Sequence, residues 1–422
     1  MTSNAFRLKQ CFEMQRRTRG FSLIELMVAM VIALIVLAGV LSSFLASKQA
    51  YLYNQEVAFI QENARYAAAY LSADIREAGN FGCSNDSSAS SPKRNNYYPN
   101  NLVSALNPTT GARYKLQGVQ GFDGHSSGPT LPTDFPRPAA SPVLSGTDAI
   151  LVRRADIDNA LTVKSHTGST FTLNTQQSAA DGNAAGTIMV YASANCQYQT
   201  IFQETLPAAL PSDQLGHAVG TSPAPGNKTT TLHGQLLAGS TYYSGLCTAS
   251  SCPWEAATPL PTGPLPGAPD SKIMPLLNTL YYVAPSSIDS NVNALWMIAL
   301  NKKGGGVAAA QELVLGVEDM RVYYGVDTDF AADGQANTYV SADQITRDTP
   351  LTTSTTSGSA FLAWSRVASV RVQLLMRSRN KVTDSTAQQT LHFDTGADFN
   401  KGGGYVWQIV PITVQLRNAY RG

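Results

Sequence analysis

Charge is scarce and balanced in this chain: 30 Lys and Arg stand against 29 Asp and Glu in 422 residues, a formal net charge of +1. That balance excludes a general nucleic-acid surface, which needs an excess of clustered cations. Histidine is also scarce, and His125, His166, His217, His233 and His392 form no H-E-x-x-H zinc motif. Proline is absent from Met1 through Ser91, so nothing in that stretch forbids a continuous helix. Phosphate-loop chemistry is missing too. Lys303-Gly304-Gly305-Gly306 and Lys401-Gly402-Gly403-Gly404 lack the terminal Gly-Lys-Ser/Thr and read as hairpin turns. Gly124-His125-Ser126-Ser127-Gly128 satisfies G-x-S-x-G, but no strand precedes it and a Pro-rich stretch follows, so it reads as a Gly/Ser loop. These absences leave no enzyme signature and point to a non-enzymatic protein.

What charge there is has a direction. Residues 1–20 hold Arg7, Lys9, Arg16, Arg17 and Arg19 against Glu13, a balance of +4 that leaves the remainder at −3. A basic segment ahead of an apolar helix stays in the cytoplasm, which sends everything after Ala46 outward. From Phe21 to Ala46 the chain is apolar and long enough to cross a bilayer, with Glu25 its only ionisable side chain. A carboxylate in hydrocarbon costs about 3 kcal/mol or more, so Glu25 requires a cationic partner. A secretory signal does not fit, because its apolar region is shorter and ends at a small-residue cleavage site. The Arg16-Arg17 pair lacks the rest of a twin-arginine signal.

The helix is expected to continue to about Ala78. Leu52, Val57, Ile60, Ala64, Ala67, Leu71 and Ile75 recur at helical spacing, and Gly79 offers a stop. A helix from Ser22 to Ala78 would be roughly 85 Å long. Beyond it, alternating segments predict strands at Ala149–Arg154, Thr187–Ala192, Leu280–Val283, Ala294–Leu300, Glu312–Tyr324, Arg366–Arg377 and Val406–Leu416. Ala89–Ser145 and Ser212–Pro269, rich in Ser, Pro, Gly and Asn, read as long loops. The fold class expected is α+β, one long helix on an antiparallel β domain. Its divisions are a leader (1–20), a membrane or filament-core half-helix (21–46), an amphipathic half-helix (47–79) and a β-rich domain (80–422).

With Cys11 in the leader, Cys83, Cys196, Cys247 and Cys252 remain, an even number suited to two disulfides in an oxidising compartment. Four cysteines allow three connectivities. We favour Cys83 with Cys196 and Cys247 with Cys252. Zinc is disfavoured because C-x4-C stands without a nearby histidine pair. Asp327-Thr328-Asp329 and Asp333-Gly334 resemble a calcium loop, although two extra residues separate Asp329 from Asp333 and the closing Glu is missing. A polar hairpin turn uses the same residues. Arg371, Arg377, Arg379 and Lys381 fall on one face of an alternating strand, where DNA contact competes with simple solvation.

Gly20 followed by Phe21-Ser22-Leu23-Ile24-Glu25-Leu26 resembles the cleavage and N-methylation site of type IV prepilins. The resemblance implies that a prepilin peptidase cuts after Gly20, that the amine of Phe21 is methylated, and that Glu25 neutralises a terminal amine in a growing filament. Major pilins usually carry a proline a third of the way into the helix. Here that region reads Leu37-Ala38-Gly39-Val40-Leu41-Ser42-Ser43. Ser47-Lys48-Gln49-Ala50-Tyr51, Ala78-Gly79-Asn80-Phe81-Gly82-Cys83, Asn195-Cys196, the run Val317-Glu318-Asp319-Met320-Arg321-Val322-Tyr323-Tyr324-Gly325-Val326-Asp327 and Leu416-Arg417-Asn418 together resemble the PilW family of minor pilins. That family is similar to GspJ-type minor pseudopilins of type II secretion. The implied role is a low-copy, inner-membrane subunit that joins other minor pilins and the major pilin in a priming or tip complex carrying an adhesin. A secretion pseudopilin or a DNA-uptake subunit is the alternative.

Overall fold

The computed structural model describes residues 20–83, 102, 117–124, 143–178, 183–192, 199–206, 211–220, 225–227, 271–301, 304–330, 332–345, 358, 362–384, 387–394 and 398–419. Helix α1 spans Leu23–Glu77, within one residue of the expected ends. It stops where Gly79 adopts a φ of 78° and turns its N–H onto Arg153 O at 2.9 Å, a backbone conformation other residues rarely take. The chain divides into two compact units, one ending at Gln55 and the other Glu56–Gly422.

In the first unit, every described residue except the half-buried Leu52 is exposed within the chain itself. In the second, the helix buries Glu56, Ile60, Ala64, Ala67, Leu71 and Ile75. The apolar members of this stripe match the expected period; Glu56 does not belong to it by polarity, and Leu52 and Val57 are less buried than the spacing predicts.

The strands in chain order are β1 (Val119–Phe122), β2 (Ala149–Ala155), β3 (Leu161–Thr167), β4 (Thr170–Gln177), β5 (Ile188–Ala192), β6 (Gln199–Gln203), β7 (Ser212–Gly216), β8 (Lys272–Pro285), β9 (Asn293–Ala299), β10 (Gln311–Leu315), β11 (Val317–Val326), β12 (Thr338–Val340), β13 (Val367–Arg377), β14 (Gln389–Leu391), β15 (Phe399–Lys401) and β16 (Trp407–Gln415). All the pairings are antiparallel. β1 and β7 lie inside stretches expected to be loops, the rest of which falls mostly outside the described residues.

Two sheets carry the domain. The larger runs β1-β2-β8-β3-β4-β7, with β5 and β9 also paired to β8 and extended by β6 and β10. The long β8 is its spine, meeting β3 and β5 through its first residues and β2 and β9 through the remainder. The smaller sheet runs β12-β11-β13-β16. One core joins the helix stripe to both sheets, with Ile60, Leu71 and Ile75 packed among Ile150, Val152, Tyr281, Met320, Val322, Val370, Val372 and Leu374. Burying each of these helix side chains contributes about 1.5–3 kcal/mol.

The single strand expected over Glu312–Tyr324 is broken at Gly316. Its φ is 82°, and a Cβ there would sit 2.8 Å from Arg377 O and 3.2 Å from the Phe59 ring. The chain therefore switches sheets at Gly316. The alternation in β13 holds: Val370, Val372, Leu374 and Met376 enter the main core, while Leu375 and the neighbouring Trp407 join Leu391 and Phe393 in a second cluster under the β14–β15 ribbon. Pro411 sits in β16, the terminal strand of the described sheet, where a missing ladder donor is tolerated.

Candidate functional site

Gly20 and Phe21 precede α1 in non-helical conformation, and Phe21 is 86% exposed. Ser22 starts the helix as its N-cap: the Glu25 N–H donates to Ser22 Oγ at 3.2 Å, and the Ser22 N–H donates to Glu25 Oε2 at 3.1 Å. The reciprocal pair is a capping box, which satisfies two otherwise orphaned donors at the helix start. Glu25 is therefore not bare, as its position in the apolar run implied; its carboxylate is turned back toward the helix N-terminus, one residue from Phe21. Among the described residues Glu25 has no cationic partner.

The helix that follows is long and apolar enough to cross a membrane, and none of the side chains in its most apolar window is buried within the chain. An apolar surface of this extent requires lipid or other helices around it. Ser42 Oγ donates to Gly39 O at 2.9 Å, and the helix continues through the region where major pilins carry a proline.

Carboxylates unrecognised in the sequence lock the second half of α1 to the β domain. Glu56 is buried and accepts the Arg379 N–H at 2.9 Å, the Asn380 N–H at 3.2 Å and Asn380 Nδ2 at 2.7 Å. Asp74 pairs with Arg154 Nε at 2.8 Å and accepts the Tyr281 hydroxyl at 3.0 Å. Glu77 pairs with Arg417 Nη1 at 2.6 Å. The available signal for Glu56 was its place four residues before Ile60, on the buried stripe.

The acidic loop does converge: carboxylate oxygens of Asp327, Asp329 and Asp333 lie within 4.8 Å of one another. Four of these six carboxylate oxygens also accept hydrogen bonds from described residues. Asp327 accepts the Asp329 N–H at 3.1 Å and the Gly334 N–H at 2.8 Å, Asp329 accepts Asn337 Nδ2 at 3.2 Å, and Asp333 accepts the Gln335 N–H at 2.8 Å. The Arg366 guanidinium, itself buried, lies 3.8 Å from Asp327 and donates to Asp329 O at 3.1 Å. A fixed cation thus already stands beside the place a second one would take.

The basic face dissolves into local pairs. β13 ends at Arg377, so Arg379 and Lys381 lie beyond the alternation that was to align them. Arg371 pairs with Asp394 and lies 4.2 Å over the Tyr339 ring, Arg377 pairs with Glu318 at 2.9 Å and covers Tyr405, and Arg379 pairs with Asp289 at 2.9 Å. Cations matched this closely have little attraction left for phosphate.

Cys83, just past the helix, is buried and disulfide-bonded. Cys196, Cys247 and Cys252 lie outside the described residues, as do residues 1–19, Lys303 and the Ser126-Ser127 part of the G-x-S-x-G match. Gly124, at the start of that match, donates its N–H to the buried Asp148, whose other oxygen accepts Val322 N–H at 2.8 Å and so ties β2 to β11.

Comparison with known protein families gives two matches. Residues 15–41, which contain Gly20, Phe21 and Glu25, match the prokaryotic N-terminal methylation motif. Residues 280–418, from the middle of β8 to just past β16, match the family described as type IV pilus-assembly protein W, PilW. No curated protein and no solved structure matches the chain. An apolar N-terminal helix opening on a methylation motif and followed by an antiparallel β domain defines a membrane-anchored, type IV pilus-related pilin. Within that class, the match that covers the whole of the smaller sheet supports a type IV pilus minor pilin of the PilW family.

Proposed function

We propose that the chain is a structural subunit of a minor-pilin priming or tip complex, cut after Gly20, methylated at Phe21 and drawn from the inner membrane into a filament as Glu25 meets a terminal amine. The observation that carries this reading is the helix start, where a capping box holds the Glu25 carboxylate beside the residue that cleavage would turn into an N-terminus. Cleavage creates a cation there, and an ion pair in a low-dielectric setting offsets the cost of the buried acid. The tight Glu56 and Asp74 contacts supply a rigid β domain for neighbouring pilins and a tip adhesin. Twitching and adhesion follow from pilus initiation. The domain faces the periplasm, where Cys83 pairs with Cys196 and Cys247 with Cys252, and the chain has no enzymatic step of its own. Calcium is left out of the reading, because Arg366 and the loop's own N–H donors already serve Asp327 and Asp329.

Deleting the gene and scoring surface pili, twitching and secreted enzymes separately tests the assignment. Loss of pili and twitching with secretion intact is expected. Intact pili with a secretion defect would replace it by the pseudopilin reading.

A further inference from the structure

The β3–β4–β7 corner contains a pair of histidines that pilus assembly does not use. His166, near the end of β3, and His217, directly after β7, face each other Nε2 to Nε2 at 2.8 Å. Their rings are 29° from parallel with centroids 5.1 Å apart. Phe171 of β4 stacks on His166 at 4.3 Å and lies 5.2 Å from His217, while Phe202 of β6 meets His217 edge-on at 5.7 Å. His217 has no exposed surface, and its N–H donates to Ser169 O at 2.8 Å.

At this separation one ring must donate and the other accept, so the pair tolerates two neutral imidazoles or one shared extra proton, and not two imidazolium rings. A metal ion is a poor alternative occupant. No third ligand joins the pair among the described residues, and His217 Nδ1 lacks the acceptor that orients a metal-bound imidazole.

What the pair holds is an edge strand. Among the described strands β7 pairs with β4, through Thr170 with Gly216, Phe171 with Leu215, Thr172 with Gln214 and Gln177 with Ser212, and its last residue Gly216 also bridges Leu206. Its end is pinned further where Thr205 N–H meets Gly216 O at 2.8 Å and Ala218 N–H meets Thr205 Oγ1 at 2.9 Å. Leu215 is its one fully buried apolar side chain, set among Phe171, Tyr191 and Phe202. Little apolar area therefore resists release once the histidines part.

We propose that His166 and His217 form an acid-released latch: a second proton on the pair separates the rings, frees β7 from β4 and uncovers the β4 edge for strand pairing. Of the other ionisable groups on the packed elements, Glu204 acts in the opposite sense, since an acid raised in the folded state steadies the fold as pH falls. Lys164 of β3, Asp213 of β7 and Lys272 of β8 are exposed, the Tyr191 hydroxyl of β5 bonds Ser271 Oγ at 3.2 Å, and Glu204 after β6 is buried and pushed up to about 8. Burial, with the neighbouring His166, pulls His217 down to about 3. A value below that of the open state, near 6.5, means closure is fully favoured above 6.5 and weakens as pH falls toward 3.

Hydrogen exchange of the full chain in detergent, at about pH 7.5 and about pH 5 and corrected for intrinsic rates, tests the latch. Amides of β4 and β7 should exchange about 30-fold faster at the lower pH, following roughly tenfold per pH unit below 6.5, while β13 amides keep their protection. His217→Phe and His166→Gln should each abolish the difference. Equal protection of wild-type β4 and β7 at both pH values overturns the proposal, as does a pH difference that survives in both variants.

Discussion

Glu25→Val is expected to insert in the membrane, to be cleaved, and to vanish from filaments. Valine keeps the helix and leaves half of the cap, because the residue 25 N–H still reaches Ser22 Oγ. It changes the two states in opposite senses. In the membrane it removes a carboxylate that costs about 3 kcal/mol, so the resident form becomes more stable. In the filament it removes the anion that meets the terminal amine. The membrane term alone shifts the partition against extraction by about 100-fold, and the lost ion pair adds to it. Glu25→Gln separates charge from hydrogen bonding, since its amide oxygen can still accept the Ser22 N–H. Counting each variant in sheared pili against the membrane fraction should find both depleted. Incorporation of Glu25→Gln at the wild-type level would overturn the ion-pair account while leaving the cap intact.

Glu204→Gln is expected to stabilise the β domain. Glu204 follows β6, has no exposed surface, and neither of its oxygens makes a hydrogen bond of good geometry with a described residue. Burial pushes its carboxyl up to about 8, with the Gln177 side chain opposing the rise only in part. An acid raised in the folded state binds its proton there while the unfolded chain has released it. Stability from this group is therefore greatest below about 4.5, declines as pH rises to about 8, and is level above that. At pH 7 the penalty is about 3 kcal/mol, and glutamine, neutral at every pH, removes it. Denaturant unfolding across pH 5 to 9 should show a higher midpoint for the variant at neutral pH and convergence with wild type toward pH 5. Unchanged stability at pH 8 would show that burial does not raise the Glu204 carboxyl in the folded chain.

The helix and its processing signal were legible because they rest on local rules: an apolar run, an acid at a fixed offset from Gly20, a helical period and a glycine stop. In the smaller sheet β13 and β16 were legible for the same reason, since both alternate cleanly, whereas β11 was merged with β10 and the short β12 was missed. β3, β4, β6 and β7 escaped because Thr, Gln, His and Asn fill positions that other strands give to Val and Ile, and the strand that seats the β3–β4 hairpin in the sheet, β8, is remote in sequence. The break at Gly316 depends on Arg377 and Phe59 crowding one backbone position, contacts that no window of sequence contains. Glu56 was passed over because an acid on an apolar stripe looks like a flaw in the period; the Arg379–Asn380 turn that satisfies it lies more than 320 residues away. The basic face failed for the converse reason, since alternation predicts a direction and says nothing about the acids and rings already waiting there.

Mass spectrometry of the mature N-terminus, on chain extracted from membranes, tests the central claim most directly. Cleavage after Gly20 predicts a first residue of Phe21 carrying one methyl group on its amine. A chain beginning at Met1, or at any unmethylated residue other than Phe21, would contradict it.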